Sequence, residues 1–73
     1  MEIYRVTIET PYSGEVLESH FFATKEAATA FAETLKEDMD GEFDTLHEIV
    51  VTAYAPDGTG EFSYDHEIAT YDI

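Results

Sequence analysis

Hydrophobic and polar residues change rhythm twice along this chain. Between Thr24 and Gly41 the apolar positions Ala27, Ala28, Phe31, Leu35 and Met39 recur at steps of three and four, which lines them along one stripe of a helix. Thr24 can cap the first turn through its hydroxyl, and Gly41 can take the left-handed conformation that ends a helix. On either side the period is two. Residues 2–10 put Tyr4, Val6 and Ile8 on one face and Arg5, Thr7 and Glu9 on the other. Thr10-Pro11-Tyr12-Ser13-Gly14 reads as a turn. Residues 15–23 read as the returning strand, in which Phe21 and Phe22 point to opposite faces and one of them joins the core. Residues 46–55 are rich in β-branched side chains, with Ile49, Val51 and Ala53 sharing a face. Ala55 to Gly60 is a second turn, and residues 61–72 form a fourth strand. There the apolar phase shifts from Phe62 and Tyr64 to Ala69 and Tyr71, which predicts a bulge near Asp65–Glu67.

The expected order is therefore β-β-α-β-β. It describes an α+β domain with a four-stranded, mainly antiparallel sheet and one helix packed on one face. Phe31 and Leu35 are expected against the sheet, with Phe43 tucked under the helix C-terminus. The 73 residues make a single domain, 1–73, with one modest core. One helix cannot cover ten aromatics spread over both faces of four strands. Some of Tyr4, Tyr12, Phe21, Tyr54, Phe62, Tyr64 and Tyr71 must lie on the open face or an edge. Aromatics exposed beside polar groups are common interface material, and with unpaired sheet edges they argue for a homodimer.

Charge changes the picture. There are 17 acidic residues against three basic ones, for a net charge of −14. Eight of the acids fall between residues 25 and 48, around the helix and its exit. At 44% hydrophobic and 14% aromatic the chain is too apolar for a disordered acidic tail. It reads as a folded domain under an acidic coat, and self-repulsion of that coat costs stability, most at low salt. Direct binding to nucleic acid or to an anionic membrane is disfavoured; a basic protein partner is favoured. Cysteine is absent, which excludes disulfides and thiolate metal sites and fits a reducing cytoplasm. The N-terminus enters a strand without a leader-like segment, and no apolar run approaches membrane-spanning length.

Catalytic and metal motifs are missing from the spacing. Placing Gly41 at the sixth position of a calcium loop puts Lys36 at the first and His47 at the twelfth, both wrong. His47-Glu48 and His66-Glu67 begin like a zinc-protease motif, but Val51 and Thr70 stand where the second histidine belongs. The serines lack a nucleophile elbow, and Gly58-Thr59-Gly60 is a hairpin turn rather than a phosphate cradle. No cofactor and no enzymatic activity are expected.

The acidic residues of the helix and its exit remain as the candidate site: Glu26, Glu33, Glu37, Asp38, Asp40, Glu42 and Asp44. Glu26, Glu33 and Glu37 fall within about 20° of one line along the helix, Asp40 continues it, and Glu33 and Glu37 are about 6 Å apart along the axis. Glu37, Asp38 and Asp40 crowd the C-terminus, where the helix dipole is already negative and acids are unfavourable. Pairs of Lys36 with Glu33 and Asp40 are expected to return part of that cost. Selection for stability alone does not place acids there.

In size, charge and acidic helix region, the whole chain resembles the small anti-defence proteins of bacteriophages, in particular the DNA-mimic anti-CRISPR and anti-restriction inhibitors. The resemblance is one of composition, since these proteins share no motif. It implies a cytoplasmic, stoichiometric inhibitor of a basic nucleic-acid-binding host-defence complex, acting in the host cytoplasm if phage-encoded. The competing reading is a small structural or dimeric regulatory domain whose acidity reflects solubility or a salt-rich cytoplasm.

Overall fold

The computed structural model describes residues 1–73 and has the order β-β-α-β-β. Strands β1 (Ile3–Glu9), β2 (Val16–Phe22), β3 (Glu48–Pro56) and β4 (Phe62–Asp72) form one antiparallel sheet in the order β2-β1-β3-β4. Each hairpin pairs locally, and the two join where β1 meets β3 at the centre. The helix α1 (Lys25–Met39) is the connection between the hairpins and packs mainly over that central pair.

Local chemistry sets the ends of α1. The backbone N–H of Ala27 donates to the Thr24 hydroxyl at 3.2 Å, satisfying one of the free first-turn donors. At the far end Gly41 has φ +82°, so the chain leaves through a left-handed residue. The connection back to β3 is held by Phe43, which stacks on the His47 ring at 3.9 Å and packs under the core. His47, buried, comes just before β3 rather than in it, and exchanges two backbone hydrogen bonds with Ile73.

The core is the helix-facing layer of the two central strands closed by α1. Val6 and Ile8 of β1 lie opposite Val51 and Ile49 of β3, all four essentially inaccessible. Ala28, Ala32 and Leu35 close it from the helix side. The helix is rolled relative to the stripe expected from sequence: Ala27 is exposed and Ala32 is buried instead. Phe31, expected in the core, is only half-buried; it leans toward β2, where it meets Phe22 at 5.1 Å and His20 at 4.8 Å. The two alanines explain the roll. Small side chains let the helix backbone approach β1 and β3 closely, and the Phe31 ring is accommodated only at the side.

Strand β4 shifts register twice. Val51 pairs with Ala69 and Thr52 with Glu67, leaving Ile68 extra; Ala53 pairs with His66 and Tyr54 with Tyr64, leaving Asp65 extra. Two single-residue bulges cancel in phase. Phe62 and Tyr64 therefore lie on the open face with Tyr54, while Ala69 and Tyr71 lie toward the helix with Val51 and Ile49. Both aromatic pairs exist, but on opposite faces of the sheet. Of the two adjacent phenylalanines of β2, Phe22 packs on the core and Phe21 is 62% exposed on the open face. No helix is long and apolar enough to cross a membrane.

Candidate functional site

Burial of Ala28, Ala32 and Leu35 fixes which way the rest of the helix points. On a 100°-per-residue wheel their common direction lies about 130–175° from Glu26, Glu33 and Glu37 and about 115° from Asp40, the extended C-cap. All four acids are exposed, and so are Asp38, Glu42 and Asp44 beyond them. The structure thus brings Glu26, Glu33, Glu37 and Asp40 together as a ridge along the outer surface. Asp38 lies to one side of that ridge, while Glu42 and Asp44 extend the acidity past the left-handed turn at Gly41.

No salt bridge neutralises the ridge. Neither lysine nor the arginine makes a salt bridge to any carboxylate, and the only acid–base contacts pair histidines with neighbours: His20 with Glu18 at 3.1 Å and His66 with Asp65 at 2.6 Å. The expected pairs of Lys36 with Glu33 and Asp40 are therefore not formed. Lys36 lies half-buried on the flank of the helix, 100° or so around from Glu37. At the other end of the ridge, Lys25, Glu26, Thr29, Ala30 and Glu33 line a shallow open concavity of about 340 Å³. Its lining has one apolar residue, Ala30, two carboxylates and one cation, Lys25.

Comparison with known proteins adds no lineage. No family model, curated protein or solved structure matches the chain.

Two further acidic features need the strand pairing to be seen. Glu9, Glu48 and Asp72 are direct cross-strand partners on β1, β3 and β4, so three carboxylates stand in one row on the open face. Like charges directly opposite are unfavourable in a sheet. The second feature lies at the other end of the molecule, where Glu2, Asp65 and His66 offer ligand atoms within 4.8 Å of one another. The Asp65 bulge is what turns two consecutive side chains toward Glu2. Hydrogen bonding to His66, and then to Glu2, holds the Asp65 carboxyl below the usual carboxylate range. Tyr4 donates to Glu2 at 3.3 Å, and desolvation, followed by the charge of Glu2, pushes its phenol up. The cluster is a mixed set of one borderline nitrogen donor and two hard oxygen donors, and Asp65 and His66 are exposed.

The open face also carries Arg5, the only arginine of the chain. Its Nε donates to Ser19 Oγ at 3.0 Å and its Nη1 to Tyr54 Oη at 3.1 Å, so the guanidinium spans three strands. Its cross-strand row runs from Phe21 through Arg5 and Thr52 to Glu67, and Ile3, Tyr54 and Tyr64 form the next row on the same face.

Proposed function

We propose that this chain is a non-enzymatic binding protein that acts as a nucleic-acid mimic, seating its acidic helix ridge in the basic groove of a nucleic-acid-handling complex such as a CRISPR effector or a restriction enzyme. One observation carries the reading: Glu26, Glu33, Glu37 and Asp40 form a continuous exposed ridge opposite the buried helix face, and no lysine or arginine pairs with it. A fold with two lysines could have used them to neutralise its most crowded helix end. Instead the ridge is left as a line of charge, with its carboxylates closest near the C-terminus, where the helix dipole adds to the negative potential. Carboxylates several ångströms apart on a rigid rod can replace phosphates opposite Lys and Arg, with fast, salt-sensitive association.

The experiment is a charge-matched comparison. A ridge variant (Glu26→Gln, Glu33→Gln, Glu37→Gln, Asp40→Asn) and a control variant (Glu15→Gln, Glu18→Gln, Glu61→Gln, Glu67→Gln) carry the same net charge. Both are tested for capture of proteins from a bacterial lysate at low and high salt, and for inhibition of DNA binding by a panel of CRISPR effectors and restriction enzymes. The ridge variant should lose capture and inhibition while the control keeps both, and added DNA should compete with the captured partner. Equal behaviour of the two variants would mean that the acidity is general and that the ridge has no binding role.

A further inference from the structure

We infer that Glu2, Asp65 and His66 form a structural site for a divalent transition ion of the zinc class, which staples the segment before β1 to the bulge of β4. The site shares no residue with the acidic ridge and does not rest on the mimic reading, so the two stand or fall separately.

The donors come from opposite ends of the chain, yet one ligand atom from each lies within 4.8 Å of the others. The strand between them lets them meet. Tyr4 pairs with Ala53 and Ala53 with His66, and two residues along β3 it is Ala55 that pairs with Ser63. Glu2 precedes Tyr4 by two positions and shares its face by strand alternation. A larger residue at 53 or 55 would stand between β1 and β4. Two methyl groups instead leave a low floor, over which the longer side chains reach one another. Asp65 joins the set because it is the extra residue of the bulge between Tyr64 and His66. Neighbours in a regular strand point to opposite faces, whereas here the Asp65 carboxylate meets His66 Nδ1 at 2.6 Å.

The chemistry of the set selects the ion. An imidazole nitrogen suits a transition ion better than Mg²⁺ or Ca²⁺, which take oxygen shells, and the absence of thiolate disfavours Cu(I). Zinc bonds to nitrogen and carboxylate oxygen at about 2.0–2.2 Å, which sets its donor atoms roughly 3–4 Å apart. The spread of up to 4.8 Å closes by rotation of side chains, and exposure leaves Asp65 and His66 free to rotate. The ion takes the place of the hydrogen between His66 Nδ1 and Asp65 Oδ2, and the neutral ring keeps its proton on Nε2. Water completes the coordination. Beyond these ligands Tyr4 donates its hydroxyl to Glu2 at 3.3 Å, the kind of outer contact that holds a ligating carboxylate in orientation. No lysine or arginine pairs with any of the three. A domain of 73 residues without disulfides gains from such a staple, which ties the start of β1 to the outer strand across β3. The other histidine–carboxylate pair, His20 with Glu18, lacks a third donor and serves as an internal comparison.

Titration of the isotope-labelled chain with Zn²⁺, followed by NMR at physiological salt to screen diffuse counterions, tests the site. One equivalent should shift the amide signals of Glu2, Asp65 and His66, leave those of Glu18 and His20 in place, and raise the melting temperature. His66→Gln should weaken binding about tenfold or more and remove the thermal shift, and Glu2→Gln and Asp65→Asn should each act in the same direction. Circular dichroism checks that each variant is folded; all three side chains lie outside the buried core. Glu33→Gln/Glu37→Gln, on the helix ridge, should leave Zn²⁺ binding unchanged, which separates this site from the mimic surface. Mg²⁺ in about tenfold excess should fail to displace the zinc. Shifts that spread over the acidic surface without saturating near one equivalent overturn the inference. So does a response unchanged in His66→Gln, or displacement by Mg²⁺, either of which reduces the cluster to ordinary surface charge.

Discussion

Truncating Leu35 to alanine tests the roll of the helix, on which the direction of the acidic ridge depends. Leu35 is the one large helix side chain fully in the core, 9% exposed; Ala28 and Ala32 beside it are too small to fill a gap, whereas Phe31 and Met39, one turn away on either side, pack against the same cluster. Removing it should cost about 2–5 kcal/mol, with the value set by how far Phe31 and Met39 relax into the space. A domain of 73 residues holds about 4–11 kcal/mol in total. A loss near 3 kcal/mol would lower the melting temperature by about 12–24 °C. Phe31→Ala is the paired measurement. The ring is larger but half-buried at the β2 side, so its loss should cost about 2 kcal/mol, below the range for a fully buried phenylalanine. Both are read by thermal and urea melts followed by circular dichroism, at one fixed salt concentration because the acidic coat makes stability salt-dependent. If Phe31→Ala proves the more damaging and Leu35→Ala melts within a few degrees of the parent, the helix is rolled toward β2. Glu26, Glu33, Glu37 and Asp40 then no longer point straight into solvent.

Three further outcomes follow from the same structure. Neutralising the helix end with Glu37→Gln, Asp38→Asn and Asp40→Asn should raise stability by a few tenths of a kcal/mol per site, with a gain that shrinks as salt is added; urea melts across a salt series check this. Gly41→Ala should cost about 1 kcal/mol from backbone strain alone, because φ is +82° and no atom lies near the added methyl group. The Asp57 carboxyl is held below the usual carboxylate range by hydrogen bonds from the Thr59 hydroxyl and N–H. Its contribution is thus present above the unfolded-state value and lost as pH falls through the lower folded value, and Asp57→Asn should flatten stability in that acid window, with an NMR titration of the carboxyl as the direct reading.

Much of the fold is legible in local pattern. The period-two stretches, the turns at Pro11–Gly14 and Pro56–Gly60 and the capped helix translate directly into elements, because each depends on residues within a few positions of one another. What depends on tertiary contact is not legible in the same way. Ala32 lies about 55° and Ala27 about 85° from the middle of the stripe formed by Ala28, Phe31, Leu35 and Met39, and the close approach of the helix to β1 and β3 turns that difference into burial of Ala32 alone. In β4 the shift between even and odd apolar positions marks the right region, but for the wrong reason: a single bulge would bring Phe62, Tyr64, Ala69 and Tyr71 to one face, whereas the two bulges cancel and the even and odd sets lie on opposite faces. The acidic ridge could be read from helical spacing alone. The row Glu9, Glu48 and Asp72 could not, since its members are scattered through the chain and meet only across strands. Likewise Glu2, Asp65 and His66 come together through a bulge that no spacing rule specifies.

The bulges have a colloidal consequence. β2 and β4 are the sheet's two edges, and an edge strand offers its free N–H and C=O groups as a template on which other chains can extend the sheet into fibrils. Both edges are spoiled here. β4 breaks register at Ile68 and at Asp65, and the β1–β2 ladder skips Leu17 between Ile8 and Glu9. Neither rim presents an unbroken ladder, and Glu18, Asp65 and Glu67 add charge along them. Near neutral pH two barriers oppose ribbon growth, irregular backbone and like charge. In acid the charge goes first, leaving the bulges as the remaining protection, so low pH is where this otherwise self-repelling chain becomes most prone to aggregate edge to edge.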